Sequence, residues 1–383
     1  MRVFLIAGEP SGDKLGAALM AGLRDLLPDA EISFHGVGGP RMEEAGLASL
    51  FPMDDISVMG VSEILSQYNA LKARVNEAAE AVIAQKPDVL ITIDLPEFCL
   101  RVAKIVKSRS NIRTVHYVAP TVWAWRPGRA KRMARHIDQV LALLPFEPPY
   151  MTAAGMRCDF VGHPVVTEPV PTDAEVSEFR ARHGLDAAPT LLVLPGSRRS
   201  EVGRLGGIFG DTLARIHAQR PDMRFVVPAA APVAALVQEV TSHWPGAPVV
   251  LDGRAAGAQD EKRRAFRAAD LALAASGTVS LELAAAATPM VIAYDMNWLS
   301  RQIIGRMLRV DTVTLVNLVS ETRVVPEFIG KACQPDAISS AVLDLAKAPD
   351  GQKAAMALTM DRLGRGQEPP GRRAARAVLD GLG

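Results

Sequence analysis

An α/β protein of two doubly wound domains is the fold class this sequence predicts, and three observations predict it. Short apolar, β-branched runs alternate with longer helical patterns from end to end, the pattern of parallel sheets covered by helices. The chain has 383 residues, long for one hydrophobic core. A strand running into a Gly/Ser turn and then a helix occurs once in each half, at "VFLIAGEPSGDKLG" and at "LLVLPGSRRSEV". Such turns are where α/β proteins hold anionic ligands.

The strands follow from the apolar runs. In the first half they are Val3–Ala7, Ile32–Val37, Val89–Ile93, Thr114–Val118, Val140–Leu144 and Asp159–Val161. In the second half they are Leu191–Leu194, Arg224–Val227, Val249–Leu251, Leu271–Ala274 and Met290–Ala293. "GHP" at Gly162–Pro164 followed by "VVTEPVPTD" reads as the link, so the domains are 1–163 and 164–345, facing each other across a cleft. Residues 346–383 form a helical segment whose last helix, around Arg372–Leu382, packs back on the first domain or on a partner. A homodimer therefore stays open.

Composition excludes several classes. A formal net charge of +1 gives no global field for polyanions, so nucleic acid is not a partner. Cys99, Cys158 and Cys333 are scattered, without a CxxC pair, which argues against a disulfide framework or cysteine zinc site and for a reducing cytosol. The seven histidines show no metal-ligand spacing. The longest apolar stretch, Ala268–Ala293, is broken by Asp270 and Glu282, so no segment is expected to span a bilayer. No Asp-x-Asp pair occurs, so no metal and no cofactor are expected.

The first turn is neither a Walker loop nor GxGxxG. Ser11 or Asp13 could cap the following helix, while Gly12 and Gly16 share one face and allow close packing on the sheet. The second turn is more specific. Gly196 and Ser197 follow a strand, and Arg198 can offer a planar fork to phosphate. In "AASGTVSLELAAAATPMV", Ser276, Gly277, Thr278 and Ser280 place hydroxyls and N–H groups at a helix's positive end. Glu282 either stabilises that helix's dipole or accepts hydrogen bonds from a ribose.

In order along the chain stand "AGEPSGD", "GVGGPRM", "FPMDDISVMGVSEIL", "IDLPEF", "HYVAPTVWAWRPGRAKR", "LPFE", "FVGHP", "LPGSRRSEV", "ASGTVSLE" and "VNLVSETRVVPE". Together they resemble the lipid-A-disaccharide synthases, nucleotide-sugar glycosyltransferases of the GT-B fold with two Rossmann-like domains. The resemblance covers roughly residues 1–330. It implies inverting transfer of 2,3-diacylglucosamine from UDP-2,3-diacylglucosamine to 2,3-diacylglucosamine 1-phosphate. The products are the β-1,6-linked disaccharide 1-phosphate and UDP. It also implies a cytoplasmic enzyme held peripherally on the inner membrane.

The resemblance assigns the site residues. Asp94, at the end of a strand, becomes the general base, provided burial raises its pKa. The bland alternative is a helix N-cap, and Glu97, Glu9 and Asp13 are lesser candidates for the base. Gly196, Ser197, Arg198, Ser276, Gly277, Thr278, Ser280 and Glu282 would hold the donor, with Asn317 either joining them or capping a turn. Ser11, Gly12, Asp13, Trp123, Arg126 and Arg129 would line the acceptor side, and the basic segment that follows Trp123 either meets acceptor phosphate or anionic headgroups or is a solvated helix face. Arg129, Arg132 and His136 are expected on one helical face.

Val61, Ile64, Leu65, Tyr68 and Leu71 follow a helical apolar period. The stripe is either core, or, as the resemblance implies for Val61, Leu65 and Tyr68, lipid-facing. "WLSRQIIGRMLR" is a second basic-apolar stretch of the same kind.

Overall fold

The structure is a computed structural model and describes residues 1–57, 68–126, 128–296 and 310–383. It divides into two compact units, Met1–Thr167 with Leu363–Gly383, and Glu168–Arg362.

The first unit holds seven parallel strands in the order β3-β2-β1-β4-β5-β6-β7. These are β1 (Arg2–Ala7), β2 (Ser33–Val37), β3 (Leu47–Ser49), β4 (Val89–Ile93), β5 (Arg113–Tyr117), β6 (Gln139–Ala142) and β7 (Arg157–Phe160). The second unit holds six, in the order β10-β9-β8-β11-β12-β13, again parallel. These are β8 (Thr190–Leu194), β9 (Arg224–Ala229), β10 (Val249–Asp252), β11 (Leu271–Ala274), β12 (Met290–Tyr294) and β13 (Glu327–Ile329). The runs in β4 (VLITI) and β8 (TLLVL) are buried at every position, because helices cover both faces of a parallel sheet. The edge strands β3 and β13 were not expected. Each has three residues, too few for a pattern.

Chain order reverses at one place in each sheet, between β1 and β4 and between β8 and β11. Ala7 pairs with Ile93, and Leu194 with Ala274. The residues just beyond, Gly8 beside Asp94 and Gly196 beside Ser276, therefore stand at the carboxyl-end switch points where such sheets bind ligands.

The last helix, Pro370–Leu382, lies along the helix Pro10–Leu26 of the first unit and buries Ala374, Ala375, Ala377 and Val378. Glycines set the approach. A Cβ on Gly22 would stand 2.6 Å from the Gly371 carbonyl oxygen, and one on Gly371 2.5 Å from that of Ala18. With its apolar side covered, this helix gives no support to a homodimer.

The expected boundary at residue 345 needs correction. Helix Asp350–Arg362 stays with the second unit. The buried Gln352 amide accepts from the Met290 N–H at 2.8 Å and donates to the Met290 carbonyl at 2.9 Å, which fixes this helix to β12. The first boundary falls at Thr167/Glu168 instead of 163/164.

Candidate active site

Asp94 and Leu95 both adopt left-handed backbone, with φ of 51° and 41°. Asp tolerates this region through its short polar side chain; Leu does not do so routinely. The tight bend brings Leu95 against Gly8, where a Cβ would lie 2.3 Å from the Leu95 Cδ2. A side chain at residue 8 would therefore have to displace the Leu95 methyl, and the Ser57 hydroxyl donates to the Gly8 carbonyl. The Asp94 N–H donates to Tyr117 on β5 at 2.9 Å. Its carboxyl is half-buried, and burial pushes its pKa above the ordinary Asp value, while the Leu95 N–H pulls the other way. The capping alternative fails. The N-cap of helix Pro96–Arg109 is Leu95, and no side chain caps it.

Of the other acids, Asp13 leaves both the acceptor set and the base candidates. It is 3% exposed, and its carboxylate accepts from Gly39, Arg41 and Met42 N–H at 2.9, 3.1 and 3.0 Å. It is an anchor for the short helix Pro40–Glu44. Neither Ser11 nor Asp13 caps helix Pro10–Leu26, since its N-cap is Glu9 and both fall inside the first turn. Gly12 packs on Ala7 and Ile93, and Gly16 on Met42, which is the packing reading. Glu97 is exposed and lies 3.2 Å from the Arg129 guanidinium.

The Trp/Arg segment divides into an inner and an outer part. Trp123 is buried, so it offers no face to a ligand. Its indole N–H points at the buried Glu147 carboxylate at 3.4 Å, which also accepts from Leu144 N–H at 3.0 Å. Burial pushes the Glu147 carboxyl up to about 7. Trp125 and Arg126 form the outer part, the guanidinium lying 4.5 Å over the indole. Arg129 sits beside the buried His116, whose imidazole is driven down to about 3, first by burial and then by that positive charge. The helix is Gly128–Met133, so His136 lies past its end and off the expected face.

In the second unit Arg198 is 69% exposed at the N-cap of helix Arg199–Gln219. The Ser197 and Arg198 N–H groups donate to Glu201 at 3.0 and 3.2 Å. Those amides already have an acceptor, and the Arg198 guanidinium also pairs with Glu201, at 3.4 Å, so a diphosphate would take the place of that carboxylate. Ser276, Gly277 and Thr278 form an accessible turn at the end of β11. Ser280 is buried, with its hydroxyl donating to the Gly277 carbonyl at 3.0 Å. Glu282, on helix Val279–Ala285, is partly exposed and paired with Lys262 at 2.6 Å.

Asn317 is corrected. It is 1% exposed, donates to Thr312 Oγ1 at 3.2 Å and Val325 O at 2.9 Å, and accepts from Val325 N–H at 3.0 Å. It ties one loop together and leaves the donor set.

Tyr68, on helix Tyr68–Gln85, is 47% exposed, with Arg101 over its ring, so it is not core. Val61, Ile64, Leu65 and the stretch 298–309 lie outside the described residues. Among the described residues no cluster of His, Cys, Asp or Glu is arranged for a metal, and no helix is long and apolar enough to cross a membrane. A surface cavity of about 560 Å³ lined by Asp88, Arg109 and Arg113 opens at the amino ends of β4 and β5, away from Asp94.

Sequence reasoning passed over Lys262, Glu201 and Glu147. Glu147 and Glu201 left a signal as the acids in "LPFE" and "LPGSRRSEV", and Lys262 left none.

Residues 3–378 match the family model described as lipid-A-disaccharide synthetase. The chain belongs to that family. A lipid-A-disaccharide synthase of Ruegeria pomeroyi is 63% identical over 385 residues, covering 100% of this chain and 96% of the relative. One of Rhodospirillum centenum is 46% identical over 99% of this chain and 94% of its own length. Among solved structures, a UDP-GlcNAc 2-epimerase from Neisseria meningitidis, bound to UDP-GlcNAc, superposes with a TM-score of 0.63 at 11% identity over 100% of this chain and 99% of its own. That likeness shows the fold alone. The two-domain Rossmann-like architecture serves epimerases and transferases alike, and membership of the lipid-A-disaccharide synthetase family makes this chain a glycosyltransferase.

Proposed function

We propose that the chain transfers 2,3-diacylglucosamine from UDP-2,3-diacylglucosamine to 2,3-diacylglucosamine 1-phosphate, with inversion. The family match over residues 3–378 carries this reading. The acceptor's 6-hydroxyl oxygen forms the bond to the anomeric carbon while the bond to the diphosphate oxygen breaks. The proton passes to the Asp94 carboxylate, and the electron pair leaves with UDP. Support for Asp94 is its place at the switch point, its strained turn and its raised pKa, since a base works best with a pKa near ambient pH. Arg198 would oppose charge developing on the departing diphosphate, the Ser276–Thr278 turn would add donors, and Glu282 would accept from the ribose hydroxyls. No metal enters this reading.

The acyl chains of both proposed substrates would bring the enzyme to a bilayer. Tyr68 and the exposed Lys131, Arg132 and Arg135 suit peripheral contact with anionic headgroups at the cytoplasmic face of the inner membrane, at about 1 kcal/mol per basic residue. The test is UDP release in the presence of EDTA. It should require both lipids together, and turnover that only magnesium restores would refute the metal-free mechanism.

A further inference from the structure

Glu282 does not stand alone. The Lys262 ammonium donates to its Oε2 at 2.6 Å, across twenty residues of sequence. The same ammonium lies 5.1 Å over the Phe266 ring, one turn along its own helix, Ala258–Ala268. That helix is itself pinned. Arg263 reaches Glu168 at 3.5 Å, Arg264 reaches Glu175 at 3.5 Å and Arg267 reaches Asp173 at 2.6 Å. Three arginines of this helix therefore hold the first residues of the second unit, while Lys262 is directed toward Glu282.

We propose that Lys262 is a positioning residue for nucleotide recognition: it fixes one oxygen of Glu282 and so presents the other to the hydroxyls of a ribose. This rests on the reading of Glu282 as the ribose acceptor. A carboxylate on a partly exposed helix samples several rotamers, and holding one of them lowers the ordering cost on binding. An ion pair this exposed contributes little to folding. Its effect should therefore be seen in ligand discrimination, with little change in stability.

The experiment is calorimetry on the full chain with UDP and with 2′,3′-dideoxy-UDP, which lacks both hydroxyls. Lys262→Met should lose about threefold to tenfold in affinity for UDP and nothing for the dideoxy analogue. Lys262→Arg should restore the preference. In a Glu282→Gln background, adding Lys262→Met should change nothing further. Equal loss for both ligands would mean that Lys262 acts through its charge on the diphosphate, and would overturn the proposal. So would an unchanged preference in Lys262→Met when Glu282→Gln has lost it. An unchanged preference in Glu282→Gln would instead remove the ribose reading, and the proposal with it.

Discussion

Replacing Asp94 with Asn separates catalysis from architecture at one atom. The backbone at Asp94 is left-handed, φ 51°, and Asn is one of the few residues that adopts this region readily. Its side-chain oxygen can still accept from the Leu95 N–H, so the strained turn survives. What disappears is a carboxylate able to take a proton. General-base assistance accounts for roughly 10²–10⁴ in rate, about 3–5 kcal/mol of barrier, and kcat should fall by that factor while UDP affinity holds.

Stability should move the other way. Burial raises the Asp94 pKa in the folded state, so its stabilising contribution is complete below the unfolded value and is lost as pH rises through the folded one. Asn carries no such penalty. The variant should melt at or above the wild-type temperature at pH 7.5, and any gain should shrink toward pH 4. The wild-type kcat should also fall on the acid side, at a pH above the ordinary Asp range, and the residual activity of the variant should lack that limb. A kcat within threefold of wild type, an estimate well short of the base contribution, would show that Asp94 is not the base. The search would then turn to Glu9 and Glu97.

Arg198→Ala should weaken UDP binding by about tenfold in calorimetry with the melting temperature unchanged, because the side chain is 69% exposed. Full affinity would remove Arg198 from the donor site. Glu147 is raised to about 7 by burial, so its contribution is intact below pH 4.5 and lost as pH rises through 7, by on the order of 3 kcal/mol. Melting curves of Glu147→Gln against wild type should therefore shift in the variant's favour between pH 5 and 8, and a constant difference would contradict the buried-carboxylate account. Replacing Tyr68, Arg132 and Arg135 together with Ser should reduce binding to anionic vesicles roughly tenfold to thirtyfold without changing UDP affinity. Unchanged vesicle binding would place the membrane contact elsewhere.

What could be read from the sequence was whatever a local pattern encodes. β4 and β8 are unbroken apolar runs, and Asp94 was visible as the acid ending one of them. The resemblance then supplied its role. Residues whose partners lie far along the chain were not legible. Asp13 looks like a helix cap until Gly39 and Met42 arrive. Asn317 looks like a ligand until Thr312 and Val325 take up its amide. The domain boundary was missed because a glutamine at 352 bonds a strand residue at 290. Lys262 lies in a run of charges, and nothing local distinguishes the one facing Glu282 from the three that grip the start of the unit.

The most direct test is to incubate the purified chain with UDP-2,3-diacylglucosamine and 2,3-diacylglucosamine 1-phosphate and examine the lipid by mass spectrometry and proton NMR. One equivalent of UDP should accompany each disaccharide 1-phosphate formed, and the new anomeric signal should show a β linkage to the 6-oxygen of the acceptor. Free diacylglucosamine as the sole lipid product, an epimerised UDP-sugar, or an α linkage would contradict the account.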